Sequence, residues 1–505
     1  MNVLLIYPQF PDTFWSFSHA IKFVGKKAVS PPLGLLTVAA MLPKDWNLKL
    51  VDMNVRPLSR KDLEWADMAF ISAMSAQRDS VQKTIQRLKA ENIPIVGGGP
   101  LFVYENVEFP EIDYFVLNEA EITLPPFLSD LNQNEVKPIY QTVEYADLKN
   151  TPIPRWDLIN FRDYVTLNIQ FSRGCPFNCD FCNVTALLGH LPRTKPVANV
   201  MAELDAMYQT GWRSNVFFVD DNFIGNKKIL KTELLPALID WQKDKKGISF
   251  STEASINLAD DDELMEMLVM AGFTSVFIGV ETPEEESLAN CNKKQNLERD
   301  LIGDIKNIQR HGLEVQGGFI VGFDNDLPSI FQRQIEFIQK SGIVTAMVGI
   351  LQAPPGTGLY ERMKYEGRLL DHISGDNVDG TTNILPKMGL EALDKGYKII
   401  LQNLYQPRAY YQRVRTFLQE YHPPTPKVYL DFSSAMMYVR ALLQSILQLG
   451  VMGKERFEYW RLFFWSLFRH PRLFPYSITL AIYGYHFRKV CEKVWLNYSI
   501  DKNAG

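Results

Sequence analysis

The 505-residue chain predicts an α/β protein: a doubly wound parallel sheet, a partial (β/α)6 barrel of the TIM type and a C-terminal α-helical region. Three observations predict it. Short apolar runs alternate with helical periodicity through residues 1–140, as in a parallel sheet covered on both faces. A second alternation of six strand–helix units runs from residue 167 to about 360, at roughly 30-residue spacing, the pattern of an incomplete barrel. Beyond about residue 385 strand signals stop and helical ones continue. The expected organisation is 1–140, a connection at 141–165 punctuated by Thr151-Pro152-Ile153-Pro154, then 166–384 and 385–505.

Taken in order, the first sheet should contain Val3–Tyr7, Leu48–Asp52, Met68–Ser72, Pro94–Val96 and Tyr114–Leu117, each an apolar run ending in a turn-forming residue. Pro31-Pro32 should open a helix carrying Leu35, Leu36, Ala39 and Leu42. The barrel strands should be Leu167–Phe171, Val216–Val219, Ser249–Glu253, Ser275–Val280, Val315–Val321 and Ala346–Ile350. Amphipathic helices such as Val197–Tyr208 and Asp261–Met270 should lie between them.

A net charge of −5 argues against a nucleic-acid binder, since no global positive field attracts phosphate. The N-terminus meets Pro8 without a basic segment and reads as a strand, not a signal peptide. No apolar run reaches the 18 residues a transmembrane helix needs. The expected location is the cytoplasm, with peripheral contact at the inner membrane face as an alternative.

Three of the five cysteines fall within eight residues: Cys175, Cys179 and Cys182 follow a predicted strand and the turn Ser172-Arg173-Gly174. Thiolates are the soft ligands of iron–sulfur clusters, and three of them leave one iron of a [4Fe–4S] cubane open to an exogenous ligand. A structural zinc site would want four ligands in paired spacings, with His190 as the candidate fourth. An electron-transfer or sensor protein would want four cysteines for its cluster. Cys291 and Cys491 stand alone and read as incidental thiols.

Cys-x-x-x-Cys-x-aromatic-Cys at the end of a first barrel strand resembles the radical S-adenosylmethionine (SAM) superfamily, with Phe181 as the aromatic. Further segments at successive strand ends resemble its cobalamin-binding members, related to hopanoid methylases: Phe218–Phe223, Thr252–Ala254, Gly279–Pro283, Gly317–Phe323 and Ala353–Thr357. The resemblance implies an N-terminal cobalamin-binding domain, a radical SAM barrel and a helical C-terminal region. It implies a 5′-deoxyadenosyl radical and, as the expected outcome, methylation of an unactivated carbon of a small-molecule or lipid substrate. Rearrangement, cyclisation or oxidation are the alternatives. A flavodoxin or ferredoxin would be the electron donor.

Asp220, Asp221, Glu253 and Glu281 could hold the amino group or ribose hydroxyls of SAM through charge-assisted bonds, while Gly318 and Gly322 let backbone approach its adenine. Helix caps and tight turns are their alternative roles. For cobalamin, Ser72, Ser75 and the run Gly97-Gly98-Gly99 are the candidates, at loops beyond carboxyl strand ends. An Asp-x-His-x-x-Gly segment is absent, because Asp52-Met53-Asn54-Val55-Arg56-Pro57 has neither His nor Gly. The resemblance therefore implies cobalt without a protein histidine. The aromatic–basic tail, including Phe457, Trp460, Phe464, Phe468, Arg469 and Arg472, is expected to pack on the barrel as a lid, with interfacial membrane helices as the alternative.

Overall fold

A computed structural model describes residues 1–370, 373–376, 378–423 and 432–501 of the chain. Within the region predicted to be helical, 424–431 and 502–505 lie outside the described residues.

The first sheet comprises β1 (Asn2–Tyr7), β2 (Asn47–Asp52), β3 (Met68–Ser72), β4 (Ile95–Gly98), β5 (Tyr114–Val116) and β6 (Ile139–Tyr140). All pairs are parallel, in the order β2-β1-β3-β4-β5-β6. Val3, Leu4, Leu5 and Ile6 are all fully buried, as expected of a central strand with helices on both faces. Chain order reverses between β1 and β3, which opens a crevice at their carboxyl ends. The two-residue β6 is too short to carry a periodic signal, and the sequence reading missed it.

The second sheet is formed by β7 (Leu167–Ile169), β10 (Asn215–Phe218), β11 (Ser249–Glu253), β12 (Phe273–Glu281), β13 (Glu314–Val321) and β14 (Ala346–Ile350), with β8 (Ser172–Arg173) and β9 (Arg193–Thr194) pairing as a separate antiparallel ribbon. Its order is β14-β13-β12-β11-β10-β7, all parallel, and β7 and β14 do not pair with each other. This is the predicted six-unit barrel, left open on one side, but Ser172 and Arg173, expected to begin a turn, form β8, since a two-residue strand leaves no periodic signal. Side chains alternate faces along a strand. Val276, Ile278 and Val280 of β12 are buried in the core beneath the surrounding helices, while Ser275, Phe277 and Gly279 line the interior.

An open barrel has bare edge strands, which must be covered. The C-terminal helices cover β14. From the helix Leu390–Tyr405, Tyr397 donates to the carbonyl of Val348 at 3.1 Å and Tyr405 donates to that of Ala346. The buried Arg413, from Pro407–Glu420, donates to Gln339 Oε1 at 2.7 Å and to the Leu404 carbonyl at 3.1 Å. The open side also receives the segment after β1. Phe14 stacks on Phe487 at 5.0 Å and meets Tyr405 edge-on at 5.3 Å, and Ala28 bridges to Tyr164 in parallel.

The expectation of a lid holds for only part of the tail. In Arg456–Arg469, Tyr459 and Leu462 are buried and Trp460 is half-buried, but Phe457, Phe464 and Phe468 face outward. Among the described residues no helix is long and apolar enough to cross a membrane.

Candidate active site

The cysteine loop is shaped before its first sulfur. Gly174 takes φ +96°, and a Cβ there would lie 2.8 Å from the Leu191 carbonyl oxygen and 2.9 Å from that of Gly189, so only glycine fits. Asp220 anchors the strand end below it. Its carboxylate accepts from the Phe171 amide at 2.9 Å and the Ser172 hydroxyl at 2.6 Å, and also from the Ser172 amide. Both oxygens of this fully buried group are thus engaged by protein donors, and its place in the structure is under the loop.

Cys175, Cys179 and Cys182 sit on that loop. Burial pushes all three thiols up, Cys182 to about 12. Asn222 Nδ2 lies 4.0 Å from the Cys175 sulfur and Gln295 Nε2 3.7 Å from that of Cys179, amide donors suited to thiolate sulfur. The Asp180 amide donates to the Cys291 carbonyl at 3.0 Å, so the segment Cys291–Lys293 forms a wall of the site. Cys291 itself is buried, with its thiol pushed up to about 12 by burial first and by the charge of Glu281 next.

Sequence reasoning missed Lys293, which stands twelve residues beyond Glu281 in no motif. Its ammonium lies 2.6 Å from Glu281 Oε1 and 5.9 Å from the Phe181 ring centre, and Glu281, Cys179 and Cys182 favour its charged form. Glu281 is held at φ +65°, rare for a residue with a side chain. A Cβ on Gly279 would collide with Glu281 Oε1 and come within 2.9 Å of Lys293 Nζ, so that glycine makes room for the pair.

Three further acids gather at neighbouring strand ends. Burial pushes Asp220 up to about 7, Asp221 to about 6 and Glu253 to about 8, with Asp221 and Asp220 adding repulsion at Glu253. Such a group is short of positive charge, and a ligand ammonium would supply it. Glu253, Glu281 and Gly318 line the barrel cavity together with Phe181 and Cys182. A Cβ on Gly318 would stand 2.9 Å from the Phe277 ring. Gly322 lies elsewhere: at φ +102° its amide donates to Asp326 at 2.8 Å and its open side faces Leu393, so it serves a strand-to-helix turn.

The cavity encloses about 2760 Å³ and runs from the barrel interior to the crevice of the first sheet, where Tyr7, Gln9, Asn54, Met74, Ser75 and Pro100 line it. Of the five cobalamin candidates, only Ser75 is on this wall. Ser72 and Gly99 pack on each other, since a Cβ on Gly99 (φ +89°) would meet Ser72 Oγ at 2.7 Å. Gly97 is filled against Ile112 and Phe115, and Gly98 against the Val116 carbonyl. Asp52 is buried and accepts from Tyr164 at 3.0 Å and from the Asn54 amide at 2.9 Å. The loop after β2 is therefore tied by protein contacts.

A half-buried ion cluster joins the first sheet to the cysteine loop. Arg173, two residues before Cys175, donates to both oxygens of Glu121 at 2.7 and 3.1 Å and lies 3.5 Å from Glu119. Arg193, from the other strand of the ribbon, pairs with Glu119 at 2.5 Å.

The chain is 32% identical over 475 residues to the hopanoid C-2 methylase of Rhodopseudomonas palustris, covering 91% of this chain and 88% of that protein. It is 41% identical over 501 residues to an uncharacterized methyltransferase of Synechocystis, covering 98% and 92% respectively. Residues 26–128 match the B12 binding domain and residues 169–338 the radical SAM superfamily. The chain belongs to the cobalamin-binding radical SAM methyltransferases. In this methyltransferase, residues 357–498 match a domain of unknown function, DUF4070. Its fold is similar to that of the cobalamin-dependent radical enzyme OxsB, with a TM-score of 0.60 at 15% identity over 100% of this chain and 81% of that one. It is also similar to the methyltransferase TsrM of Kitasatospora setae, with a TM-score of 0.57 at 15% identity over 72% and 75%.

Proposed function

We propose that this methyltransferase places a methyl group on an unactivated carbon of a large, mostly apolar substrate. The observation that carries the reading is the single cavity into which the cysteine loop and the carboxyl ends of the first sheet both open. At about 2760 Å³ it exceeds the roughly 300–1,000 Å³ of ordinary ligand pockets, which suits two cofactors and a substrate together.

Cys175, Cys179 and Cys182 would hold a [4Fe–4S] cluster, with one iron left for the amino and carboxylate groups of SAM. The sulfur-directed amides and the thiol donor set fit that group. Among the described residues no three His, Cys, Asp or Glu converge on a single ion, and a cubane, which takes each thiolate on a different iron, needs no such convergence. Bound there, the cluster would supply an electron for SAM cleavage, and a corrinoid would supply the methyl group. A flavodoxin- or ferredoxin-type donor would reduce the cluster.

The chain's own residues position and shield. Glu253, with Asp221 beside it, would meet the ribose hydroxyls and the sulfonium charge of SAM, and Lys293 brings a positive charge to an otherwise acidic, thiolate-rich pocket. Ser75, Asn54 and Gln9 would meet the corrinoid at the sheet crevice. Other walls are apolar and aromatic, with Phe17, Phe277, Phe319 and Ile482, and would exclude water from a reactive substrate. A hopanoid-like or other polycyclic lipid fits this lining, and the R. palustris relative is named for a hopanoid methylation.

The test is anoxic reconstitution of the full chain with iron, sulfide and cobalamin, followed by reduction in the presence of SAM and a lipid extract. Formation of 5′-deoxyadenosine with transfer of label from methyl-deuterated SAM into a lipid is expected. Formation of 5′-deoxyadenosine with label appearing only in water-soluble material would overturn the lipid reading.

A further inference from the structure

The outward face of the C-terminal helices is inverted. Along 436–451 the exposed positions Met436, Val439, Leu443, Leu447 and Val451 follow helical spacing and form one apolar stripe. In Arg456–Arg469 the exposed Phe457, Phe464 and Phe468 share one helix face, with the exposed Arg461 between the first two, and Phe468 is 77% exposed. The two helices are fixed to each other. Trp460 Nε1 donates to the Gly450 carbonyl at 2.9 Å, and the Tyr459 and Ser445 hydroxyls meet at 2.8 Å. Trp460, Phe464 and Phe468 stack in series along the surface. An exposed apolar face of this extent on a soluble domain marks an interaction site.

The charges around it are one-sided. Arg440, Lys454, Arg456, Arg461, Arg469 and Arg472 are all exposed, on a chain whose net charge is −5. The two acids of the segment turn inward, Glu455 to Arg488 and Glu458 to Arg415. The same helices also reach the cavity: Met437, Tyr438 and Arg469 are among its lining residues, as is Arg472 in the turn that follows.

We propose that this helical hairpin is a docking surface for an anionic lipid bilayer, its apolar stripes entering the headgroup boundary and its arginines meeting lipid phosphates. Apolar burial with aromatic side chains, reinforced by attraction to anionic lipid, is how an interfacial helix holds to a membrane. The cavity wall formed by the same helices gives an apolar substrate a route from bilayer to barrel. The inference deepens the proposed function and rests on its apolar substrate for its purpose, while the binding itself can be read without turnover.

The full chain is floated on a density gradient with vesicles of phosphatidylcholine, with or without phosphatidylglycerol. Recovery with the anionic vesicles is expected, weakening as salt rises and at least about tenfold weaker with phosphatidylcholine alone. Phe464→Ser with Phe468→Ser, and separately Arg456→Glu with Arg461→Glu, should each lower vesicle binding by about tenfold or more, with unchanged circular dichroism. Protein remaining at the bottom with both vesicle types overturns the proposal, as does unaltered flotation of both double variants. It is equally overturned if the unmutated chain sediments as a dimer that Phe464→Ser with Phe468→Ser dissolves, because a second copy then covers the face. Loss of methyl transfer with flotation intact would count against the proposed function alone.

Discussion

At the scale of single residues the site is governed by buried charge. Glu253 is the clearest case, since burial and its acidic neighbours lift it from an ordinary value of 4.5 to about 8. The folded protein therefore holds a proton there that the unfolded chain loses, and stability falls as pH rises between about 4.5 and 8. Glu253→Gln should flatten that slope, measured as melting temperature against pH without cofactors. Binding of SAM should relieve the shift by bringing its sulfonium charge, so SAM should bind more tightly as pH rises through the same range, which calorimetry in buffers of different ionisation enthalpy would detect. Replacement of any one of Cys175, Cys179 and Cys182 by Ala should abolish the visible absorbance of the reconstituted cluster while leaving far-ultraviolet circular dichroism intact. Lys293 extends this logic: Lys293→Met leaves Glu281 buried without its partner, a loss of about 3–5 kcal/mol for a broken buried pair, read by urea unfolding.

At the scale of elements, the ribbon β8–β9 does more than precede the cysteines. Its Arg173 and Arg193 engage Glu119 and Glu121 just beyond β5, so the cysteine loop is clamped to the first sheet through a bidentate, half-buried contact. Arg173→Lys cannot reproduce the fork geometry. It should lower the unfolding free energy by about 1–3 kcal/mol and impair methyl transfer more than 5′-deoxyadenosine formation, because the clamp sets one cofactor site against the other. Equal loss of both activities would refute a role in that alignment. The tyrosines on β14 are a second element-scale device. Tyr405→Phe removes the donor to the Ala346 carbonyl and should cost about 1–3 kcal/mol, since that acceptor lies on a buried strand.

At the scale of the whole molecule, sheet, barrel and C-terminal helices share one cavity, so stability and cofactor loading are linked. A ligand that binds only the folded protein stabilises it by about 2.7 kcal/mol at a hundredfold excess over its dissociation constant. Hydroxocobalamin should therefore raise the melting temperature of the full chain, and a substitution that fills the crevice, such as Ser75→Trp, should abolish the increase. The segment after β1 ties the same parts together, with His486 meeting the Phe14 carbonyl at 3.0 Å and Phe14 lodged among Tyr405 and Phe487.

The sequence by itself determined every strand of three residues or more, their alternation with helices and the three cysteines, because periodicity and ligand spacing are local properties that survive without coordinates. It also identified the strand-end acids as a group. Only the tertiary structure separated their roles. Asp220 and Glu253 look alike in sequence, yet one is consumed by the Ser172 and Phe171 donors and the other faces the cavity. Gly97, Gly98 and Gly99 resemble a ligand cradle, but neighbouring side chains and carbonyls already fill the space a Cβ would take. Lys293 carried no local signal, because its significance depends on Glu281 and Cys179 being brought beside it. Likewise the aromatic tail declared its amphipathic composition, but which aromatics point inward was decided by packing against the open barrel: Tyr459 found a core, and Phe464 and Phe468 did not.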